Sequence, residues 1–217
     1  MNRHVLITGA TRGIGRATAR AFWRAGWRVT GVARGAAGLD ALHAEFPERF
    51  VGVAADLADP TQHGRIPAAD YGAVVLNAAT FRPGALLTGP DVFTEQWALN
   101  VRANHLLART QVRGMVERRA GHLVVIGSTG TDAWPEHLTA YVATKYALRG
   151  LFLGWQAELA QTPVRVSLVA PGATLTSSWN HETPPPNVLP AELVGITVLD
   201  VVTQQRTGRI LLPNPPL

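Results

Sequence analysis

The chain has 217 residues, 47% hydrophobic and 16% charged, with a formal net charge of +5 and no cysteine, a composition that belongs to a soluble folded domain and not to a disordered chain. The missing cysteine excludes disulfides, thiolate metal sites and cysteine nucleophiles, and the seven histidines show no HExxH or other metal spacing, so no metal is expected. No run approaches the roughly 18 consecutive apolar residues of a membrane span, and Met1 leads straight into a strand-like segment without a charged lead and apolar plug; no membrane partner and a cytoplasmic location are expected.

In chain order, His4–Thr8 is a short β-branched run, followed by a glycine-rich turn and a helical pattern from about Ile14 to Ala25. Trp27–Ala33 reads as a second strand, Phe50–Ala54 as a third and Ala73–Asn77 as a fourth. A long helix follows from about Val92 to Arg118, then a fifth strand at His122–Ile126, a helix running to about Ala160 and a sixth strand at Val164–Val169. Pro190–Gln205 is a last helix and Arg209–Leu212 a closing strand. Strands alternating with helices predict an α/β fold: a doubly wound, Rossmann-like, mostly parallel sheet with helices on both faces, in a single domain spanning 1–217. Between Asp56 and Ala73 there is no room for a full crossover helix, so a turn or short helix is expected. The segment from about 174 to 190, with Pro184-Pro185-Pro186, reads as a substrate loop over the site.

The basic balance raises the question of a nucleic-acid partner. The arginines run from Arg3 to Arg209 without forming a block, Arg118-Arg119 is their only adjacent pair, and no aromatic-interleaved basic strip accompanies them. No nucleic acid is expected; arginines aimed at a phosphorylated small molecule explain the charge more simply.

Of the 20 lysine and arginine residues only Lys145 is lysine, and it stands four residues after one of three tyrosines in Tyr141-Val142-Ala143-Thr144-Lys145. Positions i and i+4 share a helix face, which makes a phenol and an ammonium one chemical unit. A free tyrosine has a pKa of about 10; a nearby cation favours the phenolate, which predicts that Lys145 lowers the Tyr141 pKa and makes it a usable acid or base. Tyr146 would turn about 100° away on a 3.6-residue helix and is read as packing. At the other end, Thr8-Gly9-Ala10-Thr11-Arg12-Gly13-Ile14-Gly15 lies at a strand-to-helix junction, where free backbone N–H groups and the positive helix end face an anion. Gly9, Gly13 and Gly15 are placed for a sharp turn, for close approach of a pyrophosphate and for helix–strand packing.

With the Thr-Gly-x-x-x-Gly-x-Gly turn and the Tyr-x-x-x-Lys pair in this order, the chain resembles a short-chain dehydrogenase/reductase from about residue 4 to residue 176. That resemblance implies a nicotinamide dinucleotide cofactor and hydride transfer to or from a small-molecule carbonyl or alcohol, with Tyr141 as proton donor and Lys145 also binding the nicotinamide ribose. By the same resemblance, Ser128 in Gly127-Ser128-Thr129 polarises the substrate carbonyl, and Asn100 in Leu99-Asn100-Val101 holds a water of the proton relay. Thr11, Arg12 and Ile14 in the glycine turn join the glycines in cofactor binding. Asp56 of the Asp56-Leu57 pair matches the adenine contact, and Asn77-Ala78-Ala79 matches the family's Asn-Ala-Gly run, with Ala79 in place of glycine and Leu76 in place of an asparagine. Pro171-Gly172-Ala173-Thr174-Leu175-Thr176 matches the nicotinamide cradle, with Thr176 at the carboxamide. The second strand ends in Ala33 and Arg34 where relatives that use NAD carry an acid, and Arg12 lies in the turn; both arginines favour a 2′-phosphate and hence NADP(H). The resemblance implies a homodimer or homotetramer. An alternative of the same fold is a dinucleotide-binding sensor without turnover, against which stands the complete set of Asn100, Ser128, Tyr141 and Lys145.

Overall fold

The β-branched runs become strands in a computed structural model that describes residues 2–84, 86–87, 90–133, 135–179 and 183–216. Strands β1 (His4–Thr8), β2 (Arg28–Ala33), β3 (Phe50–Ala54), β4 (Ala73–Leu76), β5 (His122–Ile126), β6 (Arg165–Pro171) and β9 (Gly208–Leu212) form a seven-stranded sheet in the order β3-β2-β1-β4-β5-β6-β9. Every pairing in it is parallel, as in Ile7 opposite Gly31 on one side and Val75 on the other. Winding runs outward in both directions from β1 and β4, so the strand order reverses between them. That switch point opens a crevice at the carboxyl ends of the strands.

Alternation along the strands splits the core into two layers. Val74 and Leu76 of β4 and Leu123 and Val125 of β5 pack with Leu107, Met115, Leu148, Phe152 and Trp155 on one face. Ala73, Val75, Val124 and Ile126 pack with Phe22, Leu39, Leu42, Val194, Val198 and Val201 on the other. The first set comes from helices α4 (Asn104–Glu117) and α5 (Thr139–Glu158), the second from α1 (Gly13–Arg24), α2 (Ala36–Glu45) and α6 (Ala191–Thr203). Helix α2 is an element that the sequence pattern does not offer. Only Leu39 and Leu42 of its ten residues are buried, so its apolar stripe is too thin for a periodicity to register.

The long helix expected over Val92–Arg118 is divided. Helix α3 (Phe93–Trp97) passes through a π-helical segment, Ala98–Ala103, into α4. Such segments are uncommon and gather at functional positions; this one contains the fully buried Asn100. The trimmed connection after β3 is a 3₁₀ turn, Pro60–Arg65, whose first turn is capped by Asp59 accepting from the Thr61 N–H at 3.0 Å. In the expected substrate loop, Thr174–Leu175 (β7) pairs with Leu189–Pro190 (β8) and Ser177–Trp179 makes one 3₁₀ turn; residues 180–182 lie outside the described ones. Among the described residues no helix is long and apolar enough to cross a membrane, and no cluster of candidate metal ligands occurs.

Helices α1 and α6 meet so closely that a Cβ on Gly195 would sit 2.6 Å from the Ala17 backbone. Glycine inside an exposed helix normally costs stability relative to alanine, yet here the contact reverses the sign. Gly195→Ala is expected to lower stability by about 1–3 kcal/mol through overpacking, measured as a reduced urea midpoint with an unchanged slope.

Candidate active site

A cleft of about 510 Å³ runs along the carboxyl ends of β1, β2, β4, β5 and β6 and is lined by Gly9, Arg12, Gly13, Ile14, Gly15, Arg34, Asp56, Leu57, Asn77 and Ala78 toward one end. The glycine turn is locked in a form that side chains resist. Gly9 and Gly13 have φ of 67° and 51°, and a Cβ on Gly15 would stand 2.1 Å from the Gly9 carbonyl oxygen. Thr8 braces the turn from beneath: its Oγ accepts from the N–H groups of Asn77 and Ala78 at 3.0 and 2.9 Å, tying β1 to the end of β4 across the switch point. The Asn77 side chain returns the contact, donating to the Thr8 carbonyl at 2.8 Å. Of the expected cofactor contacts in this turn, Thr11 does not line the cleft; its side chain faces α2, where a Cβ on Gly38 would meet it at 2.9 Å.

Toward the other end the lining comprises Ser128, Tyr141, Lys145, Pro171, Gly172, Thr174 and Thr176 together with the aromatic residues Phe81 and Trp179. Ser128 Oγ accepts from the Gly130 N–H at 3.0 Å and lines the cleft beside Tyr141, whose pKa it acts to lower. Lys145 is 4% exposed; its ammonium donates to the Ile126 carbonyl at the end of β5 at 2.9 Å and stands 5.6 Å from the centre of the Tyr141 ring. The helical spacing therefore does bring phenol and ammonium into one space. Tyr146 is exposed on α5 and does not line the cleft.

Electrostatically, burial dominates this pair. It pushes Tyr141 up to about 12, with Ser128 acting in the opposite direction, and Lys145 down to about 8. The expectation that Lys145 depresses the Tyr141 pKa is thus not realised in the protein alone: the loss of water around the phenol is the largest cause and raises it. Near neutrality Tyr141 is a neutral phenol able to give a proton, and Lys145 remains mostly an ammonium. The folded protein holds the lysine proton less tightly than the unfolded chain, so this group costs stability fully below about pH 8 and the cost fades as the pH rises toward 10.5.

A glycine turn at the switch point is followed along one crevice by Ser128, Tyr141 and Lys145. The family model of the short chain dehydrogenases covers residues 3–186. The chain belongs to that family. An uncharacterised short-chain type dehydrogenase/reductase of Sinorhizobium fredii is 34% identical over 184 residues, covering 82% of this chain and 73% of the relative. The solved short-chain dehydrogenase from Sphingobium yanoikuyae in complex with NADPH superposes with a TM-score of 0.87 at 28% identity, covering 96% of this chain and 86% of that one. A 3-ketoacyl-(acyl-carrier-protein) reductase from Brucella melitensis, complexed with NADH, shares the fold with a TM-score of 0.89 at 24% identity over 97% and 96% of the two chains. The protein is accordingly an oxidoreductase of the short-chain dehydrogenase family, and the chemistry of that family depends on a nicotinamide dinucleotide.

Asn100 stands behind this short-chain dehydrogenase cleft, not in its lining. Its Oδ1 accepts from the Thr80 N–H at 2.8 Å while its Nδ2 donates to the Thr80 carbonyl at 2.9 Å and to Thr144 Oγ at 3.0 Å. Thr144 in turn donates to the Tyr141 carbonyl at 2.7 Å. One buried amide thereby fastens the segment after β4 to the helix that carries Tyr141 and Lys145.

Sequence reasoning passed over four further side chains of the site. The Phe81 ring meets the Tyr141 ring edge-on at 4.9 Å and faces Trp179 at 6.3 Å. The Trp179 Nε1 donates to the Thr174 carbonyl at 2.8 Å. Asn214, in the tail after β9, accepts from the Ala173 N–H at 2.8 Å and donates to the Ala173 carbonyl at 2.7 Å, strapping the segment after β6. Asp132 accepts from Arg209 of β9 and, at 3.3 Å, from Arg149 of α5, pinning the turn that begins at Ser128. The rings were visible as types; none of the four has a local pattern that announces the contact.

Replacing Asn100 separates its roles as donor and acceptor. Asn100→Ala strands the Thr80 N–H and carbonyl, whereas Asn100→Asp also turns a carboxylate oxygen toward the Thr80 carbonyl. Both are expected to lose about 2–4 kcal/mol of stability, with aspartate the worse at neutral pH, measured by urea unfolding; an aspartate variant as stable as the parent contradicts the network.

Proposed function

We propose that this oxidoreductase uses NADP(H) to reduce a ketone or aldehyde, and that Tyr141, Ser128 and Lys145 are its catalytic residues with Asn100 as their positioning residue. The observation that carries the reading is the neutral Tyr141 phenol, lining one cleft with Ser128 and with its ring centre 5.6 Å from the Lys145 ammonium. The residues present fit a dinucleotide. The glycine turn leaves a cradle where a Cβ on Gly13 would meet Thr176 at 3.1 Å, and the first turn of α1 directs its unpaired N–H groups there. When bound, such a cofactor supplies the hydride. Gly9, Gly13, Ile14 and Gly15 would hold its pyrophosphate, Asp56, Leu57, Asn77 and Ala78 its adenosine side, and Pro171, Gly172, Thr174 and Thr176 its nicotinamide side.

The choice of NADP(H) rests on Arg12 and Arg34. Both are exposed at the cleft, and among the described residues neither has a carboxylate partner that would compete with a phosphate. The NADPH complex of the Sphingobium relative supports the same choice. In the reaction Ser128 donates a hydrogen bond to the substrate carbonyl oxygen and Tyr141 gives that oxygen its proton. Lys145 keeps a positive charge beside the oxygen as it becomes negative, and it would help hold the ribose of a bound cofactor. The intact proton-donating set favours turnover over a binding-only sensor. We read the 217 residues as one domain, with the exposed Phe93, Trp97 and Leu153 of α3 and α5 favouring a homo-oligomer.

Following NADPH absorbance with ketones, aldehydes and quinones, beside NADH, tests this directly. NADPH is expected to be preferred at least tenfold in kcat/KM, and Tyr141→Phe to lose about 10²–10⁴-fold in kcat. Turnover that survives loss of the phenol sinks the mechanism, an NADH preference sinks the arginine argument, and tight NADPH binding with no turnover favours the sensor.

The Lys145 reading makes a separate prediction in pH. Cofactor affinity should be flat below about pH 8 and weaken as the pH rises past it, because the free protein then loses the ammonium. Lys145→Arg removes that dependence but impairs both binding and turnover by about tenfold or more, since a planar fork does not fit where one carbonyl receives a point donor. Isothermal titration with NADPH between pH 6.5 and 9.5 reads both effects.

A further inference from the structure

The cleft is chemically divided. Among its described lining residues the charged ones are Arg12, Arg34, Asp56 and Lys145. The first three lie with the glycine turn and the ends of β2 and β3, and Lys145 is turned down onto the Ile126 carbonyl. Beyond Tyr141 the wall changes character to Phe81, Ala133, Pro135, Leu138, Trp179 and Pro185. The two rings of this wall are not loosely placed. Phe81 is wedged edge-on against the Tyr141 ring at 4.9 Å, and the Trp179 indole is fixed by its bond of 2.8 Å to the Thr174 carbonyl, so its single polar atom is already used. The centres of Phe81 and Trp179 are 6.3 Å apart and their planes are inclined by 46°. They touch each other, leaving no slot between them, and make one continuous apolar surface beside the reacting phenol.

We propose that the substrate is an uncharged carbonyl compound whose carbonyl carries a bulky apolar or aromatic group, seated on the surface made by Phe81 and Trp179. The inference rests on the reductase reading above and names its substrate class. With its oxygen at Ser128 and Tyr141, a carbonyl compound must send one of its two substituents along this wall. A carboxylate, phosphate or acyl-carrier arm sent there gives up water without meeting a cation among the described lining residues of this wall, which is costly. An aryl or alicyclic group gains by the same transfer, and burying one ring is worth about ten- to a hundredfold in binding. Aromatic rings also prefer the edge-to-face and inclined geometries that this pair presents. Phe81 and Trp179 are thus specificity-determining residues.

The test uses the full chain with two independent readings. In steady state with NADPH, kcat/KM should rise at least tenfold from acetone to cyclohexanone or acetophenone. Pyruvate and acetoacetyl-CoA should fall at least tenfold below acetophenone. By calorimetry on the protein saturated with NADP+, 1-phenylethanol should bind and lactate should not. Phe81→Ala should raise KM for acetophenone about tenfold and Phe81→Leu by less, while NADPH titration and thermal unfolding confirm that each variant is folded. Reduction of pyruvate or acetoacetyl-CoA as efficient as that of acetophenone, or an unchanged KM in Phe81→Ala, overturns the substrate class and leaves the reductase reading standing. Failure of every carbonyl, with 1-phenylethanol still bound in preference to lactate, overturns the reductase reading and leaves the ligand class standing. Lactate binding as well as 1-phenylethanol overturns the ligand class in either case.

Discussion

A lysine that is 4% exposed and, among the described residues, has no carboxylate partner is the constraint around which this molecule is arranged. A buried ammonium is costly unless its donors are used. One of its three goes to the Ile126 carbonyl, which is free to accept because it lies at the last residue of β5. The remaining donors have the cleft to work in. That single bond fixes the depth of α5 against the sheet, and with it the height of Tyr141 one turn earlier. The helix is held from its other side by Asn100 through Thr144, and the turn preceding it by Asp132 between Arg149 and Arg209. Three polar anchors in a mostly apolar layer make the reactive group a rigid body, which is what a proton donor needs if geometry is to contribute to rate.

Much of this was legible in the sequence, because the motifs are local. A glycine turn after a β-branched run and a tyrosine one helical turn before a lysine each specify their geometry over a few residues, and the alternating strands supply the sheet that lines them up. What was not legible depends on distance along the chain. Phe81 and Trp179 lie on connections after different strands and meet only because the sheet order brings β4 and β6 to either side of β5. Helix α2 escaped because it buries two residues, and the π-helical turn because its cause is not local: the widened turn contains Asn100, whose hydrogen bonds go to Thr80 and Thr144.

The pKa of Tyr141 shows a different limit. Spacing correctly brought a cation to the phenol, and Coulomb attraction alone would lower the phenol's pKa. The sign reverses because both groups have lost water on folding, and desolvation acts on each in the direction of its neutral form, raising one and lowering the other. Sequence reports which charges are neighbours; it does not report how much water they have lost.

Opposite demands at the two ends of one cleft explain why the site is built from such different parts. An anionic pyrophosphate is best held by backbone N–H groups and arginines that keep contact with solvent, since these donate without a buried charge having to be matched when the ligand leaves. A carbonyl being reduced needs the reverse: a neutral acid, a fixed cation and little water, so that the charge appearing on oxygen is stabilised by groups already in position. The apolar surface of Phe81 and Trp179 meets the second demand as well as offering a seat for substrate. Packed against the Tyr141 ring, it withholds the water that would otherwise keep the phenol nearer its ordinary pKa. Recognition of an apolar substituent and maintenance of the protonated phenol are then two consequences of the same aromatic contact.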